Sequence, residues 1–590
     1  MIVVSIFPKA MHVRFVWLAL AVAVLASNSP SQSQTVSANF GNRSVSTPVV
    51  PSGIFSVDGT GSTITDQGTI STLTSAGLSG TRFWIPLQQI YANSTANFNY
   101  LDKTLETMKD AGLHPLGVIY NTPPSLGSTP CAPPSDVWKW GQLAASVVAH
   151  VDQKFPGLMQ DYEIWNEPEL ATSLCVADAT SRRNSYIALF AAAAAAMHAQ
   201  AESDGETIRT GGPVISQLSQ APTWIPALLS NTSAAPYVDF VSFHLYITGL
   251  TNIQNGMNWS QLYAITQSST QGLAYYYKKI EPLVRSGHQP NATSTPIYIT
   301  EYNDNWAYAL DCCRNDPTYA PLWNSVAITD FLNVVYSGAS AVPSQLGYFN
   351  SAGSYFCIMG EWNSSMNCDS SVLEPYPQFY AYKLFASPDY LDLQAGGHMA
   401  VSVSPASTTT GLAATAFYTN SADSVVIVNP TSTSYSAVNI VLTNPGLPSA
   451  TAGTIFLLDR SNGQISTQSV SLKSISGGYS ATVEVPAYAT VALSVKAGQS
   501  GSATSAPTTV IAVTPQSGTH PLVVDVDSSH SQGGGSAIIG RTIDFGDGSW
   551  LNWWPSASHA YARAGNYKIQ VTVKNQSGQL STATTTITVH

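Results

Sequence analysis

Two glutamates sit in strings that could put them to chemical use. Glu167 lies in Asp161-Tyr-Glu-Ile-Trp-Asn-Glu-Pro-Glu169, and Glu301 ends Pro296-Ile-Tyr-Ile-Thr-Glu301. Each string is a short β-forming run that finishes in a carboxylate. Pro168 has no N–H to give a ladder, so it stops the first strand, and the turn-like Asn303-Asp304 follows the second. Two carboxylates at strand ends can divide acid–base work. One stays protonated as a donor and the other ionised as a nucleophile or base, which is what cleavage of a glycosidic bond requires. Trp165 and Pro168 flank Glu167 and predict a raised pKa for it, hence the donor role. Asn166 is a neutral amide beside it, suited to a sugar 2-hydroxyl. Glu163 reads as a lumen or loop carboxylate and Glu169 as a surface one.

The elements that must hold these residues alternate. Strand signals occur near Phe55 and at Gly80 to Ile85, Pro115 to Tyr120, Tyr162 to Trp165, Thr207 to Val214, Tyr237 to Tyr246, Pro296 to Glu301 and Leu346 to Phe349. Helical stretches occur at Phe98 to Ala111, Asp136 to Phe155, Ser185 to Ala201, Trp259 to Arg285 and Tyr376 to Phe385. This alternation over residues 51–390 predicts a (β/α)8 barrel, in which strand C-termini build the site. A doubly wound open sheet is disfavoured, because no Gly-rich phosphate loop follows the first strand. Asn121, just past the third strand, and Trp306 and Trp362 are candidate sugar contacts, as is Trp84.

From about residue 390 the helix signals stop. Residues 391–498 carry short strands between turn-rich pieces and predict an all-β sandwich. Residues 499–507 are a Gly/Ser/Ala/Pro linker, and 508–590 are again all-β. Trp550, Trp553 and Trp554 cluster in this last part. A small sandwich core needs fewer, so one or two are expected to be exposed and to bind polysaccharide.

The chain has 590 residues, a net charge of −11 and only 10% charged residues. With no basic block, nucleic acid is an unsuitable partner. Lys9 and Arg14 precede an apolar run from Phe15 to Ala26, which reads as a signal peptide over 1–26, and the Ser/Gln/Asn-rich 27–50 reads as a flexible lead-in. No later segment reads as a membrane helix, so a secreted protein is expected. Its six cysteines suit an oxidising compartment. A bridge between Cys131 and Cys175, in neighbouring loops, is the first expectation, and Cys357 with Cys368 the second. Cys312 and Cys313 bond each other or find other partners. No histidine lies at ligand spacing from the cysteines, so no metal is expected, and nothing implies a cofactor.

Trp165-Asn-Glu-Pro168 with Ile299-Thr-Glu301-Tyr302 resembles the catalytic pair of clan A glycoside hydrolases over about residues 50 to 390. That resemblance implies Glu167 as acid/base on strand four and Glu301 as nucleophile on strand seven. Ser242-Phe-His244-Leu-Tyr246 resembles the clan's sixth strand, whose tyrosine hydrogen-bonds the nucleophile, and Arg82 falls where the clan has an arginine on strand two. Arg82 and Tyr246 would then keep Glu301 ionised. His244 joins the expected substrate-binding set, with a satisfied core histidine as the alternative. With Gly211-Gly-Pro213 these motifs most resemble family 39, of β-xylosidases and related enzymes. Asp544-Phe-Gly-Asp-Gly548, His559-Ala-Tyr561 and Gly565-Asn-Tyr567 resemble the polycystic kidney disease (PKD) domain, an Ig-like β-sandwich common in secreted bacterial polysaccharide-degrading enzymes. A bacterial origin is inferred from that combination of domains. The expected function is a secreted retaining glycosidase acting on oligo- or polysaccharides. The competing reading is a carbohydrate-binding or adhesive surface protein built on a decayed barrel. The sugar, the linkage and the oligomeric state are left open.

Overall fold

The computed structural model describes residues 34–41, 48–59, 64–248, 256–306, 313, 316, 318–351, 358, 361–362, 368–369, 375–404, 411–446, 450–459, 464–496, 506–528, 530–532, 538–552, 556–575 and 579–590. Eight parallel strands close into a barrel: β1 Phe55–Gly59, β2 Gly80–Pro86, β3 His114–Tyr120, β4 Asp161–Ile164, β5 Arg209–Ile215, β6 Phe240–Thr248, β7 Ile297–Asn305 and β8 Gln345–Tyr348. They are buried almost throughout, as strands covered on both faces by lumen and helices must be. The two long helices that flank β4 begin where side chains cap them. The Asp136 carboxylate accepts from the Lys139 N–H ahead of Val137–Lys154, and Asp178 does the same for Ser181 ahead of Ala179–Asp204. The latter helix closes at Gly205, whose φ of +77° is the left-handed cap that glycine adopts freely.

The expected (β/α)8 barrel is present, with local differences. The stretch expected as one helix from Trp259 is two, Trp259–Thr266 and Leu273–Arg285. β4 ends at Ile164, before Pro168 is reached, because Trp165 already has φ +71° and leaves the extended region. β7 does not end at Glu301. Asn303-Asp304 is strand rather than turn: Asn303 pairs with Tyr246, the Thr248 hydroxyl donates to the Asp304 carbonyl at 2.9 Å, and Asn303 Nδ2 donates to the Phe349 carbonyl at 2.7 Å.

The following sandwich has a five-stranded and a six-stranded sheet. Its five-stranded sheet corrects the reading of 27–50 as a flexible lead-in. Gln34–Asn39 is a strand, lying parallel to Tyr435–Thr443 and antiparallel to Ser402–Ser404. Its alternation buries Val36 and Ala38 in the sandwich core. The other sheet packs on the barrel, with Phe417, Val426 and Phe456 joining the barrel core and the Trp259 indole donating to the Pro430 carbonyl at 2.6 Å. Residues from Ala512 onward form a separate β-sandwich around Val524, Val526, Ile569 and Val571, in which the Tyr561 hydroxyl donates to the Phe545 carbonyl. Trp550 is exposed there. Trp553 and Trp554 lie outside the described residues, as do the signal-peptide segment and most of the 499–507 linker. Among the described residues no helix is long and apolar enough to cross a membrane.

Cys131 and Cys175 are joined as expected, bridging the loops after β3 and β4, and the Cys175 N–H also donates to the Cys131 carbonyl at 2.8 Å. Cys313 is also in a disulfide. Cys312 and Cys357 lie outside the described residues, so the other pairings are not described. Replacing Cys131 and Cys175 together by serine frees a loop of 44 residues in the unfolded chain. Chain-entropy arithmetic for that loop length gives a loss of about 4 kcal/mol. Urea unfolding of the double variant checks this, and an unchanged midpoint would contradict it.

Candidate active site

The site is assembled around one buried cation. Arg82 on β2 is fully enclosed. Its Nε donates to Glu163 on β4 at 2.6 Å, its Nη1 to Asp58 on β1 at 2.6 Å and to Glu301 on β7 at 2.7 Å, and its Nη2 to the Asn166 side-chain oxygen at 2.7 Å. One planar guanidinium thus fixes four groups from three strands and their ends, which a flexible ammonium with a single charge centre would not do. Glu163 is a lumen carboxylate, as expected. Burial pushes Asp58 up to about 7 even against the charge of Arg82, so the cluster need not carry every carboxylate ionised at neutral pH.

Glu301 Oε1 faces Arg82, while its Oε2 accepts from the Tyr246 hydroxyl at 2.7 Å. The two neighbours expected to hold this carboxylate are therefore in contact with it. Across the site, Glu167 Oε1 lies 2.9 Å from His244 Nδ1, and the same nitrogen is 3.3 Å from Glu301 Oε2. Both neighbours are carboxylates, so Nδ1 carries the proton and donates. His244 is buried, yet it is no mere core histidine: it stands between the two glutamates. Burial pulls its pKa down, but the charges of Glu301 and Glu167 outweigh that and leave it raised.

An oxygen of Glu167 and one of Glu301 fall within 4.8 Å of each other and of His244 Nδ1. The two carboxylates therefore face one space, close enough to act on the same bond. These three side chains are the group of potential metal ligands among the described residues. With Nδ1 already donating to Glu167 and facing the charge of Glu301, they form an acid–base cluster more readily than a cation cage.

The expectation for Glu167 needs correction. Burial does raise its pKa, but the hydrogen bond and charge of His244, a hydrogen bond from Ser216 and the charge of Arg82 together outweigh burial and leave it below the usual carboxylate value. Its local apolar neighbours do not decide the matter. Its backbone is held at φ +45° and donates its N–H to the carbonyl of Val214, itself at φ +56° where β5 bulges against β6. Two non-glycine residues kept in this sparsely populated region, with Trp165 between strand and site, mark a segment that its surroundings over-determine.

Glu169 is not on the surface but 1% exposed. Its Oε1 accepts from the Ser216 N–H at 2.6 Å, the Ser216 hydroxyl at 3.0 Å and the Gln217 N–H at 2.8 Å, pinning the Glu167 turn to the end of β5. Asp58, Glu169 and Ser216 are the site residues that sequence reasoning missed. Of the remaining candidates, Asn121 is buried at φ +68° with its Nδ2 3.4 Å from the Pro130 carbonyl, and it does not meet the carboxylates. Trp306 follows β7 and is 54% exposed. The Trp362 side chain lies outside the described residues.

A glutamate just past the fourth strand and another within the seventh strand of a parallel barrel, braced by an arginine from the second, form a glycoside-hydrolase arrangement. The description of glycosyl hydrolases family 39 matches residues 88–407, more than half of the chain, and that of the PKD domain matches 504–589. The chain belongs to glycosyl hydrolase family 39. It is similar in fold to a family 39 enzyme from Xanthomonas axonopodis pv. citri, with 15% identity, a TM-score of 0.55, and 80% of this chain and 99% of that one covered. A monomeric β-xylosidase from Caulobacter crescentus CB15 gives 14%, 0.57, 79% and 100%. A bacterial orthologue of human α-L-iduronidase gives 14%, 0.58, 94% and 99%. Comparison with curated proteins gives no match.

Proposed function

We propose that this chain is a secreted, retaining glycosidase acting on oligo- or polysaccharides by double displacement, with β-xylosides the first substrates to test. The observation that carries the reading is the unequal bracing of two carboxylates within 4.8 Å of each other: Glu301 has Arg82 and Tyr246, and Glu167 has His244. Glu301 attacks the anomeric carbon while Glu167 gives its proton to the departing glycosidic oxygen. Glu167, now ionised, then takes a proton from the water that breaks the glycosyl ester and releases Glu301. Asn166 has its oxygen taken by Arg82, which turns its NH2 outward as a donor for the sugar 2-hydroxyl. Exposed Trp306, just past β7, is offered as a stacking face for a further sugar ring. The choice of β-xylosides follows the family and the β-xylosidase among the similar folds. Secretion, from a bacterial cell, is supported by the basic–apolar leader and the Cys131–Cys175 bridge.

The test is turnover of aryl β-glycosides and plant polysaccharides by the wild type and by Glu167→Gln and Glu301→Gln. Cleavage by wild type alone supports the reading. Sugar binding without turnover, equal in all three, replaces it with the non-catalytic one.

The pH profile tests His244. The competent free enzyme needs Glu167 protonated, and the imidazole favours its ionised form, so kcat/KM is expected to peak at acid pH and fall toward neutrality. In His244→Gln the imidazolium charge is gone, the Glu167 pKa rises, and the falling limb moves to higher pH. A limb that stays in place would mean that His244 does not set this proton's affinity.

A further inference from the structure

A cavity of about 220 Å³ lies at the C-terminal rim of β2, walled in part by Trp84, Gln89, Asn97, Asn99 and Tyr100. It does not contain the carboxylates, but Trp84 in its wall lies against the Arg82 that holds Glu301. Trp84 is two residues beyond Arg82 and so on the same face of the strand. Its ring lies 5.1 Å from the Arg82 guanidinium carbon and 5.1 Å from the Tyr120 ring. Tyr120 in turn meets Trp165, the residue before Asn166-Glu167, at 5.3 Å. Half-buried Trp84 therefore belongs both to this second space and to the residues packed around the reacting centre.

The lining has a definite chemistry: two aromatic rings, three side-chain amides and no charged group. Ring faces suit the C–H face of a pyranose, and amides pair with hydroxyls as donor and acceptor alike, whereas an ionised ligand would find no counter-charge. The amides are also presented on a fixed frame. The Asn97 N–H donates to the Ile90 carbonyl at 2.9 Å, and the Asn99 N–H to the Asn97 side-chain oxygen at 3.1 Å. Tyr100 is 40% exposed beside them.

We infer that this cavity is a further sugar-binding subsite, taking a neutral sugar unit of the same oligosaccharide that the glutamates cleave. The inference rests on the glycosidase reading for the identity of the chain that enters. It makes the enzyme one that prefers oligosaccharides to single glycosides, because contacts remote from the bond that breaks add binding only when a second unit is present.

The experiment uses the full chain with Tyr100→Ala and Asn97→Ala, both checked for an unchanged Tm. On xylotetraose and cellotetraose, kcat/KM for the better substrate is expected to fall about five- to tenfold, while an aryl β-xyloside changes by less than about twofold. Equal losses on long and short substrates overturn the subsite. A second arm needs no turnover: the affinity of both tetraoses for Glu301→Gln, by calorimetry, with and without Tyr100→Ala. If the wild type cleaves nothing, the glycosidase reading fails, and this arm still decides. A five- to tenfold loss of affinity on removing Tyr100 upholds the subsite; unchanged affinity, or no binding of either tetraose to the parent, overturns it.

Discussion

Glu301→Ala is expected to lose at least about four orders of magnitude in turnover of an aryl glycoside, since it removes the nucleophile itself. Sodium azide should then restore part of the rate, giving a glycosyl azide of configuration opposite to the substrate. The alanine leaves a void where Glu301 had been held between Arg82 Nη1 and the Tyr246 hydroxyl. A small anion entering there attacks the same face of the anomeric carbon once, and a single displacement inverts. Glu167→Ala should behave differently. With an activated leaving group such as 2,4-dinitrophenol the first step needs little acid assistance, so the glycosyl-enzyme still forms and waits for a base it no longer has. Azide needs no base and attacks from the vacated Glu167 side, giving the retained configuration through two inversions. NMR of the two azide products reads the roles directly, and the same anomer from both variants would refute this assignment of roles.

Arg82→Met is expected to be the most damaging change to the fold. The side chain is fully enclosed and touches three carboxylates, Asp58, Glu163 and Glu301. Methionine fills much of the volume but leaves buried negative charge without its partner, which costs about 3–5 kcal/mol. Urea unfolding measures the loss. Adding Asp58→Asn and Glu163→Gln to Arg82→Met should return part of the stability, because neutral amides tolerate burial better than unpaired carboxylates. Activity should stay absent in both, since Asn166 and Glu301 lose the group that orients them. If Arg82→Met alone unfolds at the wild-type midpoint, the buried ion cluster does not contribute as described.

What could be read from the chain followed how local each determinant is. The two glutamates announce themselves because strand and carboxylate are adjacent in sequence, and the barrel because alternation repeats eight times. The acidity of Glu167 is not legible in the chain for the opposite reason. Trp165 and Pro168 are its neighbours in sequence, but the group that decides is His244, 77 residues on. Glu169 looks solvent-facing beside a proline, and is buried only because Ser216 and Gln217 bring three donors to it from the end of the next strand. Asp58 sits in a five-residue strand with no distinguishing pattern, and its meaning comes from Arg82 alone. Asn303-Asp304 has turn-forming composition, overridden by ladder pairing with β6 and side-chain bonds to the β6 and β8 ends.

The strand Gln34–Asn39 has a consequence for how the molecule is made and cut. Thr443, which bonds to Ala38 across the sheet, lies 405 residues away, so during synthesis this strand leaves the ribosome long before its partner exists. It must remain unpaired while the whole barrel is translated, and the sandwich closes only when the chain returns to it. The barrel is thereby enclosed in a loop whose two ends are sewn into one sheet. A protease cut between barrel and sandwich would leave the two pieces attached through this seam. A fragment stopped near residue 390, where the composition changes, would carry a bare strand edge in place of a clean terminus.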